Sequence, residues 1–90
     1  MSFDYEAIRA KTQRTLIAFL DSEVAVGQTL VQSAALAKSQ GHMNHYVQAR
    51  LGAVQAAECL RRFMSQVADD TVRTEIGMQL AELDRIISTL

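Results

Sequence analysis

One set of apolar residues between positions 46 and 67 recurs at alternating intervals of three and four residues. They are Tyr46, Ala49, Ala53, Ala56, Leu60, Phe63 and Val67. This spacing places them on one face of an α-helix with a heptad repeat. The chain has no proline and only four glycines, and no segment of useful length alternates with a period of two. The sequence therefore predicts an all-α fold without strands.

Two breaks divide the chain into three helices. In KSQGHMNH, residues 38–45, Gly41 can end one helix and Asn44 can cap the next. The second break falls where the heptad phase jumps, and Asp69 or Asp70 can cap the helix that follows. Short connections make successive helices antiparallel. We expect an up-down-up three-helix bundle with helices at about 3–40, 45–67 and 70–89, and a single domain over residues 1–90.

The first helix is predicted to carry a long apolar stripe. Its members are Tyr5, Ile8, Thr12, Leu16, Phe19, Val26, Leu30, Ala34 and Ala37, with Leu20, Val24 and Val31 at the edge. The helix would be about 55 Å long, against about 30–35 Å for the other two. The first helix is therefore expected to extend beyond its own bundle.

The overhanging residues before about Leu16 include three apolar side chains, Phe3, Tyr5 and Ile8. Exposing side chains of this size costs about 1.5–3 kcal/mol each relative to burial. One alternative is a bend at LDSE, residues 20–23, that folds the helix back to give four helices. The segment has neither glycine nor proline, so we expect a continuous helix whose overhang packs on a second copy of the chain.

The second helix carries a further apolar stripe, Val47, Leu51 and Val54, roughly opposite the heptad repeat. Three interpretations remain open. The third helix can cover this stripe, or the stripe is a surface for a partner, either another copy or another protein, or its residues are exposed without a role, since single exposed apolar residues are common.

Residues with chemical potential do not converge on a catalytic or metal site. His42 and His45 lie in a loop, and Cys59 is about 20 Å away along the second helix. We expect solvated histidines and a buried, unreactive thiol. Glu23 lies within the apolar arc of the first helix, where a functional role is a minor alternative. No nucleotide-binding or hydrolase motif occurs. We predict no catalytic residue, no metal site and no cofactor.

The net charge of −1 disfavours nucleic-acid binding. The small basic patch of Arg50, Arg61 and Arg62 is expected to be a solvated face that pairs with Glu58. A single cysteine excludes an intramolecular disulfide, and no signal peptide or membrane span is recognisable. We therefore expect a cytoplasmic protein without a membrane partner.

These features predict a non-enzymatic helical module for protein–protein interaction or assembly. It is expected to form a homodimer and to be able to bind another protein. Its predicted interaction surface consists of Phe3, Tyr5, Ile8, Val47, Leu51 and Val54. The alternative is a small regulatory or accessory subunit of an enzyme, with a ligand bound in a helical pocket near a residue such as Glu23.

Overall fold

The computed structural model describes residues 4–90, and within that range it contains helices and no strand. The elements are α1 (Tyr5–Ser39), α2 (Met43–Phe63), a 3₁₀ turn (Met64–Gln66) and α3 (Asp70–Thr89). α1 and α2 form the most extensive contact, and α3 packs against both. The predicted all-α three-helix bundle is confirmed. The alternative with a bend at residues 20–23 does not occur, because α1 is continuous.

The α1–α2 connection is a glycine-dependent helix end. Gly41 has a φ of 76°, and the His42 N–H donates to the Ala37 carbonyl oxygen at 2.9 Å. This arrangement satisfies carbonyl groups left free at the end of α1. The role predicted for Gly41 is therefore confirmed. The predicted cap at Asn44 is wrong, since α2 begins at Met43 and His42 occupies the N-cap position without a side-chain cap.

The α2–α3 connection begins earlier in the chain than predicted, since α2 was expected to end at about Val67. The heptad repeat extends to Val67, but α2 ends at Phe63, and Val67 is extended with only 1% of its surface exposed. Val67 is therefore buried at the end of the core although it lies outside a helix. Asp69 caps α3 by accepting a hydrogen bond from the Val72 N–H at 3.0 Å, and the predicted bounds of α3 are confirmed.

The C-terminal end of α3 lies beside the connection between α1 and α2 and bonds to residues on both sides of it. The Tyr46 hydroxyl donates to the Leu90 carbonyl oxygen at 2.8 Å. The ammonium group of Lys38 donates to the same oxygen and lies 5.7 Å from the centre of the Tyr46 ring. At the opposite end of the α1–α2 pair, Phe19 and Phe63 pack edge to face with ring centres 6.3 Å apart. These contacts establish the up-down-up order.

The core uses only part of the predicted main stripe of α1, namely its end at Ala34 and Ala37. We call the buried face the inner seam, and it comprises Leu20, Val24, Gly27, Val31, Ala34 and Ala37. Phe19 and Val26, which were predicted on the main stripe, are 43% and 47% exposed. The prediction that Leu20 and Val24 lie at the edge is wrong, because α2 and α3 together cover the side of α1 on which these residues lie.

Small residues allow the helices to approach closely within this core. Ala34 of α1 and Ala49 and Ala53 of α2 are all buried. Gly27 faces Leu83 of α3, and a Cβ atom added to Gly27 would lie 2.7 Å from Leu83 Cδ2. A methyl group at position 27 would therefore overlap the Leu83 side chain as it is packed.

Candidate interaction surfaces

Residues 4–12, the first nine of the described chain, project beyond the bundle. α1 has 35 residues and α2 has 21, so their lengths are about 52 and 32 Å at the helical rise. Every residue from 4 to 12 is exposed, including Tyr5 at 68% and Ile8 at 48%. The predicted overhang is therefore present. Phe3, which belongs to the same predicted surface, lies outside the described residues.

A second heptad repeat follows the exposed side of α1, and we call it the outer seam. Its members are Tyr5, Ile8, Thr12, Thr15, Phe19, Ser22 and Val26, and all of them are exposed. They recur at alternating intervals of three and four residues, which is the pattern that packs one helix against another. The outer seam covers about three heptads, or about 32 Å of helix.

The hydroxyl groups of the outer seam donate hydrogen bonds to backbone carbonyl oxygens of α1 itself. Thr12 donates its hydroxyl to the Ile8 carbonyl oxygen at 2.9 Å, and Thr15 donates to that of Lys11 at 3.0 Å. Ser22 donates to the Ala18 carbonyl oxygen at 3.1 Å. Because these hydroxyl donors are already bonded within α1, a partner could cover them without leaving them unsatisfied. The outer seam is consequently more apolar than its residue types indicate.

Depressions flank the outer seam on either side of Thr12. One open groove of about 420 Å³ is bordered by Lys11, Thr15 and Phe19, among others. A second of about 420 Å³ is bordered by Tyr5 and Ile8. Grooves between exposed side chains at helical spacing are the positions into which side chains of a facing helix insert.

A separate groove lies between α2 and the end of α3. Val47 and Leu51 are 55% and 50% exposed on its rim, whereas Val54 is half-buried and packs against the core. Ile87 and Leu90 of α3 complete a groove of about 560 Å³. α3 therefore covers the second apolar stripe only at Val54, and Val47 and Leu51 remain exposed.

The half-buried thiol of Cys59 faces the charges of two helices. Burial is the main cause that raises the pKa of Cys59, the carboxylate of Glu23 raises it further, and Arg62 opposes both. A raised pKa leaves the thiol protonated and weakly nucleophilic. The thiol is not fully buried, which corrects that part of the expectation. His42 and His45 are exposed, and residues 4–90 contain no group of three potential ligands that could hold a metal ion.

The basic residues of α2 have other partners than the sequence predicted. Arg61 donates to Asp84 of α3 at 2.8 Å rather than pairing with Glu58. Arg62 lies over the Phe63 ring, 5.4 Å from its centre. Arg50 borders the groove between α2 and α3. Arg61 and Arg62 therefore take part in two different contacts, and Arg50 lies at the groove.

Sequence reasoning missed part of the outer seam. Thr15 and Ser22 were not assigned to any surface, although a strict heptad count from Tyr5 and Ile8 reaches both. It also missed Gln13, whose side chain bonds to the backbone of the α2–α3 connection. The heptad count was available in the sequence, whereas the bonds of Gln13 join residues 53 and 55 positions apart.

Comparison with known proteins gives no match to a family model, a curated protein or a solved structure. Within residues 4–90, no helix combines the length and the apolar character that crossing a bilayer requires.

Proposed function

We propose that the protein is a non-enzymatic helical interaction module that associates with a second copy of itself through the outer seam. The observation that carries this proposal is the exposure of the entire outer seam over about three heptads. Contiguous exposed apolar surface of this kind typically marks an interaction site. The internally bonded hydroxyls of Thr12 and Thr15 add to its suitability for burial.

Features outside the seam favour interaction over catalysis. Within residues 4–90, no polar or charged side chain is buried. Binding pockets for small substrates usually place a few polar groups in a concave apolar site. Glu23, the candidate of the alternative interpretation, is half-buried beside Cys59 and does not border the grooves described above. A reducing compartment such as the cytoplasm suits the single cysteine thiol.

The groove between α2 and α3 supports a second candidate function, an accessory subunit that binds a ligand. Its volume of about 560 Å³ falls within the range of ligand pockets, and the groove offers Tyr46 and Arg50 as polar neighbours of apolar walls. A thermal-shift screen of small carboxylates and phosphates tests it. Stabilisation that is lost in Arg50→Gln would support this candidate.

The molar mass in solution tests the main proposal. By sedimentation equilibrium we expect about twice the mass of one chain, which is 10.0 kDa. Ile8→Asp places a charge on the outer seam, where Ile8 touches no part of the bundle core, and should give the mass of one chain at the same concentration. Ala10→Asp is the matched control on the opposite face of the overhang and should remain dimeric.

Salt dependence provides an independent test. An apolar interface should persist at high ionic strength, whereas an arginine–anion contact should weaken steeply. A wild-type mass of 10.0 kDa at every protein concentration would contradict the proposal. Equal loss of dimer in Ile8→Asp and Ala10→Asp would show that the outer seam is not the interface.

A further inference from the structure

We propose that two copies of α1 pair in antiparallel orientation along the outer seam, with the symmetry axis passing near Ile17 and with Arg9 of each copy beside Glu23 of the other. This inference rests on the proposed self-association and specifies its geometry. The occupant of the exposed face is then a second copy of the same helix.

Charge complementarity favours the antiparallel register, because only this register gives both Arg9 and Glu23 an opposite charge. The residues that border the outer seam toward the core are Arg9, Leu16, Glu23 and Leu30, which recur every seven residues. In antiparallel helix pairs, positions of this type face each other across the interface. A symmetry axis near Ile17 brings Arg9 opposite the partner's Glu23 and Leu16 opposite the partner's Leu16. Neither Arg9 nor Glu23 forms an ion pair within residues 4–90.

The same register pairs the largest seam residue with a small one, and pairs the apolar residues Ile8 and Val26 with each other. Phe19 meets the partner's Thr15, and Ile8 meets the partner's Val26. Tyr5 reaches the level of the partner's Thr29. Layers that combine a large and a small side chain fill a helix interface without voids or overlap. A parallel pair would instead place Phe19 against Phe19 and would leave Glu23 opposite an alanine.

The length of the overhang fits this arrangement. Residues 4–12 of one copy would lie beside residues 22–30 of the other, where α1 is already supported by α2 through the Leu30–Gly52 contact. The exposed side chain of Val26 would thereby be covered by an overhang whose own residues, 4–12, are exposed. Each overhang would cover the same part of α1 in the other copy, as a two-fold symmetric interface requires.

The other flank of the outer seam consists of small or polar residues that permit close approach. Ala18 and Ala25 are both exposed there, seven residues apart on the same face. In the proposed register, the two copies of Ala18 lie close to the symmetry axis and to each other. The two copies of Ala25 lie about 24 Å apart along the helix axis. In a parallel pair, by contrast, both positions would lie equally close to their counterparts.

Cysteine cross-linking at these two positions tests the geometry. In a Cys59→Ser background, Ala18→Cys should form covalent dimers with a short bis-maleimide, and Ala25→Cys should form few. Circular dichroism verifies that both variants keep the helical fold. Equal cross-linking at the two positions overturns the antiparallel register while leaving the proposed self-association standing. Dimers by mass that cross-link at neither position also overturn it, and a protein that is monomeric by mass removes both proposals.

Charge reversal supplies a second readout. Arg9→Glu alone and Glu23→Arg alone should each raise the dissociation constant of the dimer by about tenfold, since two symmetry-related pairs become repulsive. The double variant should return it to within about threefold of the wild-type value. Lys11→Glu is the control, because Lys11 faces Ala25 in this register. Failure of the double variant to recover, with its fold intact by circular dichroism, contradicts the Arg9–Glu23 pairing.

Discussion

Gln13 of α1 and Ala68 of the α2–α3 connection are joined by a hydrogen bond of 2.9 Å, from the Ala68 N–H to the Gln13 side-chain oxygen. The amide nitrogen of the same side chain donates to the Gln66 carbonyl oxygen at 3.0 Å. One side chain therefore satisfies two backbone groups where the chain leaves its helical conformation. This contact also marks the level at which the bundle ends and the overhang of α1 begins.

Replacement of Gln13 by alanine should destabilise the protein by about 1–2 kcal/mol, since two exposed hydrogen bonds are lost at about 0.5–1.5 kcal/mol each. Urea unfolding followed by circular dichroism measures this change. Gln32→Ala is the matched control, because Gln32 lies exposed on the same helix. A loss no greater than in the control would show that the two bonds do not stabilise the connection.

The glycines of α1 and α3 should respond oppositely to alanine. Gly77 has room for a Cβ atom, whose nearest neighbour would be Met64 Cε at 4.0 Å. Gly77→Ala should therefore raise the free energy of unfolding by about 0.5–1 kcal/mol through helix propensity. Gly27→Ala gains the same propensity, but its Cβ atom overlaps the buried Leu83. This overlap should lower the free energy of unfolding by about 1–3 kcal/mol. Urea unfolding should rank the variants Gly77→Ala, wild type, Gly27→Ala, and equal stability of the two would refute the close α1–α3 contact.

The double variant Val47→Asp with Leu51→Asp should remain folded, because both side chains are about half exposed. We expect a change in unfolding free energy below about 1 kcal/mol, as for surface substitutions in general. Ala53→Asp on the same helix is the contrast, since Ala53 is fully buried and an unpaired charge there should abolish the fold. Thermal unfolding separates the two outcomes. Unfolding of the double variant would show that the groove between α2 and α3 is part of the core.

Alkylation of Cys59 should be slow at pH 8, because burial and Glu23 raise the pKa of its thiol and reduce the thiolate fraction. Glu23→Gln should accelerate the reaction with iodoacetamide, and Asp21→Asn, which removes an exposed carboxylate of α1, should not. Since the folded-state pKa lies above the unfolded value, the stability linked to this group is complete below the unfolded pKa. It is lost as the pH rises through the folded pKa. Equal rates in Glu23→Gln and the wild type would contradict the electrostatic contribution of Glu23.

Local sequence signals determined the helical class, the number of helices, the end of α1 and the start of α3. Gly41 can adopt a positive φ without steric cost, and Asp69 can cap α3, so both positions depend on neighbouring backbone alone. The bounds of α3 followed for the same reason. The end of α2 did not, because Val67 continues the heptad pattern in sequence but leaves the helix to close the core.

The two faces of α1 show most clearly what the sequence could not decide. Both the inner and the outer seam have apolar residues at helical spacing, so periodicity alone identifies two surfaces that can be buried. Which one the chain buries depends on where α2 and α3 pack, and those contacts join residues far apart in sequence, such as Gly27 with Leu83 and Phe19 with Phe63. Helical structure arises from interactions within four residues, whereas the choice between two apolar faces is made by the packing of the whole bundle.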